Sequence, residues 1–284
     1  MEPRKPSYHE TNGLAHTNHP RYRGVEGHWI INEGGGSTAY DIALAGYGRG
    51  GSLNSGVTWT QGNFGPALQF NGSSGVVTMG DINALDGLTQ LVVASWFYVS
   101  AMPSVNNHAS IINKEAFTGG LFYGWGYQIK NDISGQKQIY FVARNGDTPV
   151  AHGYTNFDAF ATGQWYHLVM VYDGGGAANA DRLKAYLNAT ALTLTFSGTI
   201  PASIGATTTN VQMGTSGHGL DAYLNGRVGE ARVIAGRTFD IGDVMNLYAD
   251  PFLEWAYPVD DEWNTIAAAG AFRSRIAGGL VMAT

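Results

Sequence analysis

From about Val25 to Asp250 the chain alternates short apolar stretches with clusters of Gly, Asn, Asp and Ser. That is the pattern of β-strands and their turns, and it predicts an all-β sandwich or barrel. The clearest stretch is 165–172. Side chains alternate along a strand, so Trp165, His167, Val169 and Val171 share one face, and Tyr166, Leu168, Met170 and Tyr172 the other. Both faces are apolar, which predicts a central strand covered on two sides. Further strands are predicted at 90–99, 126–130, 138–144, 182–188, 191–196, 211–214 and 227–235.

The intervening residues carry turn chemistry. Asn71-Gly72, Asn145-Gly146 and Asn225-Gly226 accept positive φ and predict tight hairpins, and 173–181 reads as a longer flexible connection. One helix is expected. Asp240 is a candidate N-cap, Asp243 suits the first turn, Val244, Leu247 and Tyr248 form an apolar stripe, and Asp250-Pro251 ends it. No internal repeat is visible. The pattern divides the chain into an N-terminal arm (1–24), one sandwich (25–253) and a C-terminal tail (254–284).

Composition narrows the classes. Glycine at 40 of 284 residues is about twice the usual ~7%, and charged residues at 13% are about half the usual ~25%. With 44% hydrophobic and 12% aromatic residues the chain has material for a large core, so disorder is excluded as its main state. The net charge of −6 argues against a nucleic-acid-binding body. Charge is uneven along the chain, with an arm that is net basic and a tail that is net acidic. Zero cysteines exclude disulfides, thiolate zinc and thiol catalysis. No apolar run suits a secretory signal or a membrane span.

Several segments, in order, resemble the laminin G-like, concanavalin A-like jelly-roll domains found in phage and bacterial surface proteins. They are Gly24-Val-Glu-Gly-His-Trp-Ile-Ile-Asn-Glu-Gly-Gly-Gly36, Gly65-Pro-Ala-Leu-Gln-Phe-Asn-Gly72, Ala94-Ser-Trp-Phe97, Gly163-Gln-Trp-Tyr-His-Leu-Val-Met-Val-Tyr-Asp-Gly174, Leu183-Lys-Ala-Tyr-Leu-Asn188 and Gly226-Arg-Val-Gly-Glu-Ala-Arg-Val233. The resemblance implies two stacked antiparallel sheets closed by the helix at Asp240, with Trp29, Trp96 and Trp165 in the core. Many members hold a structural calcium ion, for which this chain offers Glu33, Asn71 and Glu230, but Glu230 beside Arg232, and Glu33, read first as structural ion-pair or hydrogen-bonding residues. The chain departs from the family pattern at Ser73-Ser74 and Gly229, where acids are usual, and at Asn188-Ala189, where Asn-Gly is usual. Calcium takes six to eight oxygens, usually with several carboxylates among them.

Enzymatic chemistry finds few residues to carry it. Glycan hydrolysis needs two carboxylates roughly 5–9.5 Å apart. No strand offers two acids with shared parity, and the cluster Asp260-Asp-Glu262 lies in the tail. Tyr127, Gln128, Lys130 and His167 do not assemble into a lyase set, and His9, His16 and His19 read as polar residues of a contact arm. No zinc helix, nucleophile elbow or phosphate loop occurs. A sugar-binding surface remains, because sugars need aromatic rings against their apolar faces and a few polar partners. Tyr123, Trp125 and Tyr127, with Asp147, His152 and Tyr154 in the region that follows, are the candidate ligand residues.

The expectation is therefore a non-catalytic structural or interaction protein, a virion component displaying a laminin G-like sandwich. Its partners would be other subunits of a homo-oligomeric assembly, held through 1–24 and 254–284, and cell-surface polysaccharide. The alternatives are an extracellular or cell-surface carbohydrate-binding module and, behind it, a glycan-cleaving enzyme on the same fold.

Overall fold

The computed structural model describes residue 5 and residues 22–43, 49–146, 150–219 and 222–252. Two antiparallel sheets pack face to face. One runs β14 (Thr190–Ala191), β13 (Leu183–Leu187), β12 (Trp165–Asp173), β7 (Gln90–Ala101), β17 (Asn225–Ala235), β5 (Pro66–Asn71) and β4 (Val57–Gln61), with β1 (Val25–Trp29) also paired to β17. The other runs β15 (Leu194–Ser197), β11 (His152–Thr155), β10 (Lys137–Asn145), β9 (Leu121–Asn131), β8 (Asn107–Thr118), β16 (Gln212–Met213), β6 (Val77–Thr78), β3 (Gly50–Leu53) and β2 (Thr38–Tyr40). This is the two-sheet jelly-roll sandwich that the strand pattern and the resemblance imply.

Alternation explains how one strand serves two layers. Leu168, Met170 and Tyr172 of β12 enter the main core with Trp125, Tyr127 and Ile129 of β9 and Phe141 of β10. Val169 and Val171 point the other way, into a second cluster with Tyr22, Val92, Ile234, Val244 and Leu247. The last two belong to α2 (Ile241–Ala249), which lies across the back of the first sheet. Asp240 caps it by accepting the Asp243 N–H at 2.9 Å, and the Asp243 side chain accepts from the Asp240 N–H at 3.3 Å. Burying Val244 and Leu247 stabilises this arrangement by roughly 1.5–3 kcal/mol each. The two apolar faces of 165–172 thus reflect a core on one side and a helix layer on the other.

Some local features differ from the sequence expectation. The 12-residue strand β8 carries no apolar alternation because Asn113, Lys114 and Glu115 interrupt it, yet all three are fully buried and partnered. Asn225-Gly226 is a bulge at the start of β17, not a hairpin turn. Tight turns fall instead at Gly119-Gly120 and at Asn188-Ala189, all at positive φ. The 173–181 connection is pinned. It enters the short α1 (Asn179–Arg182), whose Asn179 bridges Gly198 and Ile200 and whose Arg182 donates to the Gly176 and Ile200 carbonyls. Trp29 is in the main core and Trp96 is buried under α2, but Trp165 is half-buried at the sheet surface, 5.7 Å from Tyr98.

Candidate functional site

The outer face of the second sheet carries the chemistry. On β9, Tyr123, Trp125, Tyr127 and Ile129 point inward, while Gly124, Gly126, Gln128 and Lys130 lie on the outer side. Trp125 and Tyr127, both expected to meet ligand, have no solvent exposure and fill the core. The Tyr127 hydroxyl donates to Ser95 Oγ at 2.8 Å, and burial pushes its pKa far above the ordinary value. Tyr123, at the end of the same row, is half-buried and reaches a cleft at one end of the sandwich. Asp147 lies outside the described residues.

His152 and Tyr154 are brought together on the outer face, and the residue that unites them is Tyr140. The β10–β11 register sets Tyr140 directly opposite Tyr154. Their rings stack at 5.2 Å and 15°, and His152 stacks on the same ring at 5.1 Å and 25°. His108 meets Tyr140 edge-on at 5.0 Å, and Lys130 Nζ stands 5.0 Å from its ring centre. The result is a stripe of half-buried rings with a cation at its margin. Burial and the nearby Arg144 lower the His152 pKa to about 4, so its ring is neutral at pH 7. Burial and the neighbouring Tyr154 raise the Tyr140 hydroxyl, which stays protonated as donor and acceptor.

Beside the stripe the face is polar. Gly124 and Gly126 stand opposite Arg144 and Val142 and present no side chains. Glu115 accepts from Arg144 at 2.7 Å and from Gln128 at 2.9 Å, and the Arg144 guanidinium lies 4.8 Å over Phe122. Glu115 is the sole acid in β8 to β11 and is completely buried.

The proposed calcium ligands occupy other places. Asn71 Oδ1 accepts the N–H groups of Ser73, Ser74 and Gly75 at 2.9–3.0 Å. Glu33 Oε1 accepts from the Tyr40 N–H at 2.6 Å, and burial raises its pKa. Glu230 is buried against Arg232 and His28. Lys5, from the N-terminal arm, sits near both glutamates and donates to the carbonyls of Ile31, Pro66 and Gly229. Asn71 is five residues along β5 from Pro66, roughly 16 Å away at strand rise. A cation would meet Lys5 and Arg232 beside the two glutamates and an amide oxygen already saturated. These donors do not fit calcium, and no group of three or more His, Asp or Glu among the described residues is placed to hold a metal.

A sandwich with its core between two antiparallel sheets, closed by one helix, defines a concanavalin A-like jelly roll. Residues 71–237 match the family model of the concanavalin A-like lectin/glucanases superfamily, and the chain belongs to that family. Among solved structures it is similar to domain 4 of AbnA, a GH43 extracellular arabinanase from Geobacillus stearothermophilus, in complex with arabinotriose. That match has a TM-score of 0.55 and 18% identity over 80% of this chain and 98% of that one. The binding domain of Paraclostridial Mosquitocidal Protein 1 matches at TM-score 0.57 and 10% identity, over 84% of this chain and 56% of that domain. A Trypanosoma rangeli sialidase matches at 0.55 and 12% identity over 82% of this chain, which spans 34% of the sialidase. At such identities the likeness is one of fold. No curated protein matches the chain.

Proposed function

We propose that this chain is a non-catalytic glycan-binding sandwich whose sugar contact is the Tyr140, His152 and Tyr154 stripe. The observation that carries the reading is the stacked set of half-buried rings on an open sheet face. Rings this close and this nearly parallel cover part of one another's faces, so the stripe offers its remaining apolar ring surface, with the Tyr140 hydroxyl, Lys130 and the neutral His152 as partners for sugar hydroxyls. The arabinotriose bound by the similar arabinanase domain supports a saccharide as the class of ligand.

Binding is favoured over cleavage by the state of Glu115. A hydrolase needs one protonated and one ionised carboxyl flanking the bond. Glu115 is held by Arg144 and Gln128, out of solvent; no second acid stands on the strands β8 to β11, and Asp132 in the β9–β10 turn, the acid felt by Tyr140, is buried and accepts the Ser134 and Gln136 N–H groups. The setting we propose is a virion component, homo-oligomeric, joined to neighbouring subunits through 1–24 and 254–284. The opposite net charges of these two segments, basic and acidic, support it. A bacterial cell-surface carbohydrate module is the alternative setting.

The test is an array of defined oligosaccharides probed with the full chain and with Tyr154→Ala. Binding above background that falls at least tenfold in the variant is expected. An array with no signal for the intact chain would overturn the glycan reading. For the setting, loss of particle association on deleting 254–284 is expected, and unchanged association would refute attachment through the tail.

A further inference from the structure

A second surface has the composition of a sugar site and lies apart from the Tyr140 stripe. At the end of the sandwich, where β8 turns into β9, the β6–β7 and β15–β16 connections border an open cleft of about 430 Å³, within the range of small-molecule sites. Asp81, Asn83, Tyr123 and Thr207 to Thr209 line it. Tyr123 projects from the core side of β9, opposite in parity to the face that carries the stripe.

The cleft has a built floor. Lys114, wholly buried, places its Nζ 2.9 Å from Asp81 Oδ1, 2.6 Å from Asp86 Oδ1 and 3.2 Å from the Ile82 carbonyl. Asp86 also accepts the Thr207 N–H at 3.1 Å, so the two connections are tied across the base. The Thr207 and Thr209 hydroxyls stand 3.1 Å apart. Tyr123 is fixed by two glycines that leave no room to spare. A Cβ at Gly205 would come within 2.7 Å of its ring, and one at Gly146 within 2.9 Å of its hydroxyl.

Charge selects the ligand. One ammonium stands between two carboxylates, which leaves the floor with one negative charge in excess. Asp81, the more open of the pair at 32% side-chain exposure, faces solvent at the cleft. A uronate or sialate would be repelled there, whereas a neutral sugar would find carboxylate and threonine acceptors and a rigid ring. We infer that this end cleft is a second carbohydrate subsite, selective for neutral sugars. The inference rests on the glycan-binding reading but uses none of the residues of the stripe.

The experiment is an array of defined neutral and acidic oligosaccharides probed with the intact chain, Thr208→Arg, Tyr123→Ala and Tyr154→Ala, each checked for an unchanged thermal midpoint. Thr208 is exposed, so its arginine variant fills the cleft without disturbing the core. Neutral-glycan signal that falls at least tenfold in Thr208→Arg, with acidic-glycan signal retained, supports the subsite. Signal unchanged in Thr208→Arg and Tyr123→Ala but lost in Tyr154→Ala removes the subsite and leaves the stripe standing. Absence of any signal for the intact chain overturns both.

Discussion

Glu230 and Arg232 form an ion pair sealed from water. Two residues apart on one face of β17, they meet at 2.7 Å with side-chain exposures of 0% and 1%. Arg232 also donates to the Pro251 carbonyl at 2.5 Å, tying the strand to the end of α2, and His28 Nε2 stands 3.1 Å from the same Glu230 oxygen. Burial alone would raise the Glu230 pKa, but Arg232 and His28 hold it near 2, against an ordinary 4.5. The folded-state value is depressed, so the pair stabilises fully above pH 4.5, and that contribution is lost as pH falls from 4.5 toward 2. Glu230→Gln leaves a buried guanidinium without its counter-charge. The expected cost is about 3–5 kcal/mol at pH 7, with a flatter acid limb below pH 4.5, read from urea melts across pH.

His167, which feels the charges of Glu230 and Arg232, adds a second loss of stability on the acid side. Its ring is fully buried beside the stacked pair Trp96 and Tyr248, 5.2 Å from the first and 5.9 Å from the second, and neither ring nitrogen has a hydrogen-bond partner among the described residues. Burial lowers its pKa to about 4 from 6.5. Below 6.5 the unfolded chain takes up a proton that the folded chain refuses, so stability is lost as pH falls from 6.5 toward 4. His167→Phe removes that penalty, about 2 kcal/mol at pH 5 by the size of the shift. The variant is expected to melt higher than the parent at pH 5, with the advantage shrinking at pH 7.5. Equal differences at both pH values would contradict a neutral buried imidazole.

The sandwich was legible because β7 and β12 are nearly continuous apolar runs bounded by turn residues, and they and β17 are buried along most of their length. Strand β8 was not, since Lys114 and Glu115 are buried by pairing with Asp81, Asp86 and Arg144, partners far away in sequence. The candidate site was half legible. Tyr123, Trp125 and Tyr127 share a parity, but which side of β9 faces the core depends on the sheet it packs against. Tyr140 differs in parity from Ile139 and Phe141, and that signal was available. Its union with His152 and Tyr154 needed the β10–β11 register, which the sequence does not state.

Trp125 and Tyr154 are therefore expected to respond differently to truncation. Trp125 fills the core without exposure, and Trp125→Ala should cost about 3–5 kcal/mol. Any binding it loses would follow unfolding. Tyr154→Ala, on the half-exposed face, should stay folded at 25 °C while losing glycan signal. Circular dichroism melts beside the array separate the two, and a Trp125→Ala protein as stable as the parent would contradict the core placement.

The Asn188-Ala189 turn joins β13 to β14 with both residues in the left-handed region, φ +48° and +60°. Asn tolerates that conformation, but an alanine Cβ crowds the following carbonyl at a cost of about 1–2 kcal/mol. The turn persists because its neighbours fix it. Asn188 Oδ1 accepts the His167 N–H, and its own N–H donates to the His167 carbonyl, both at 2.8 Å, while the Ala189 methyl touches the helix-side cluster. Ala189→Gly relieves the strain but loses that contact and loosens the unfolded chain, two effects that offset part of the gain. A net stabilisation of about 0.5–1 kcal/mol is expected, read as a higher urea midpoint at unchanged slope. A lower midpoint would mean that the methyl contact outweighs the backbone strain.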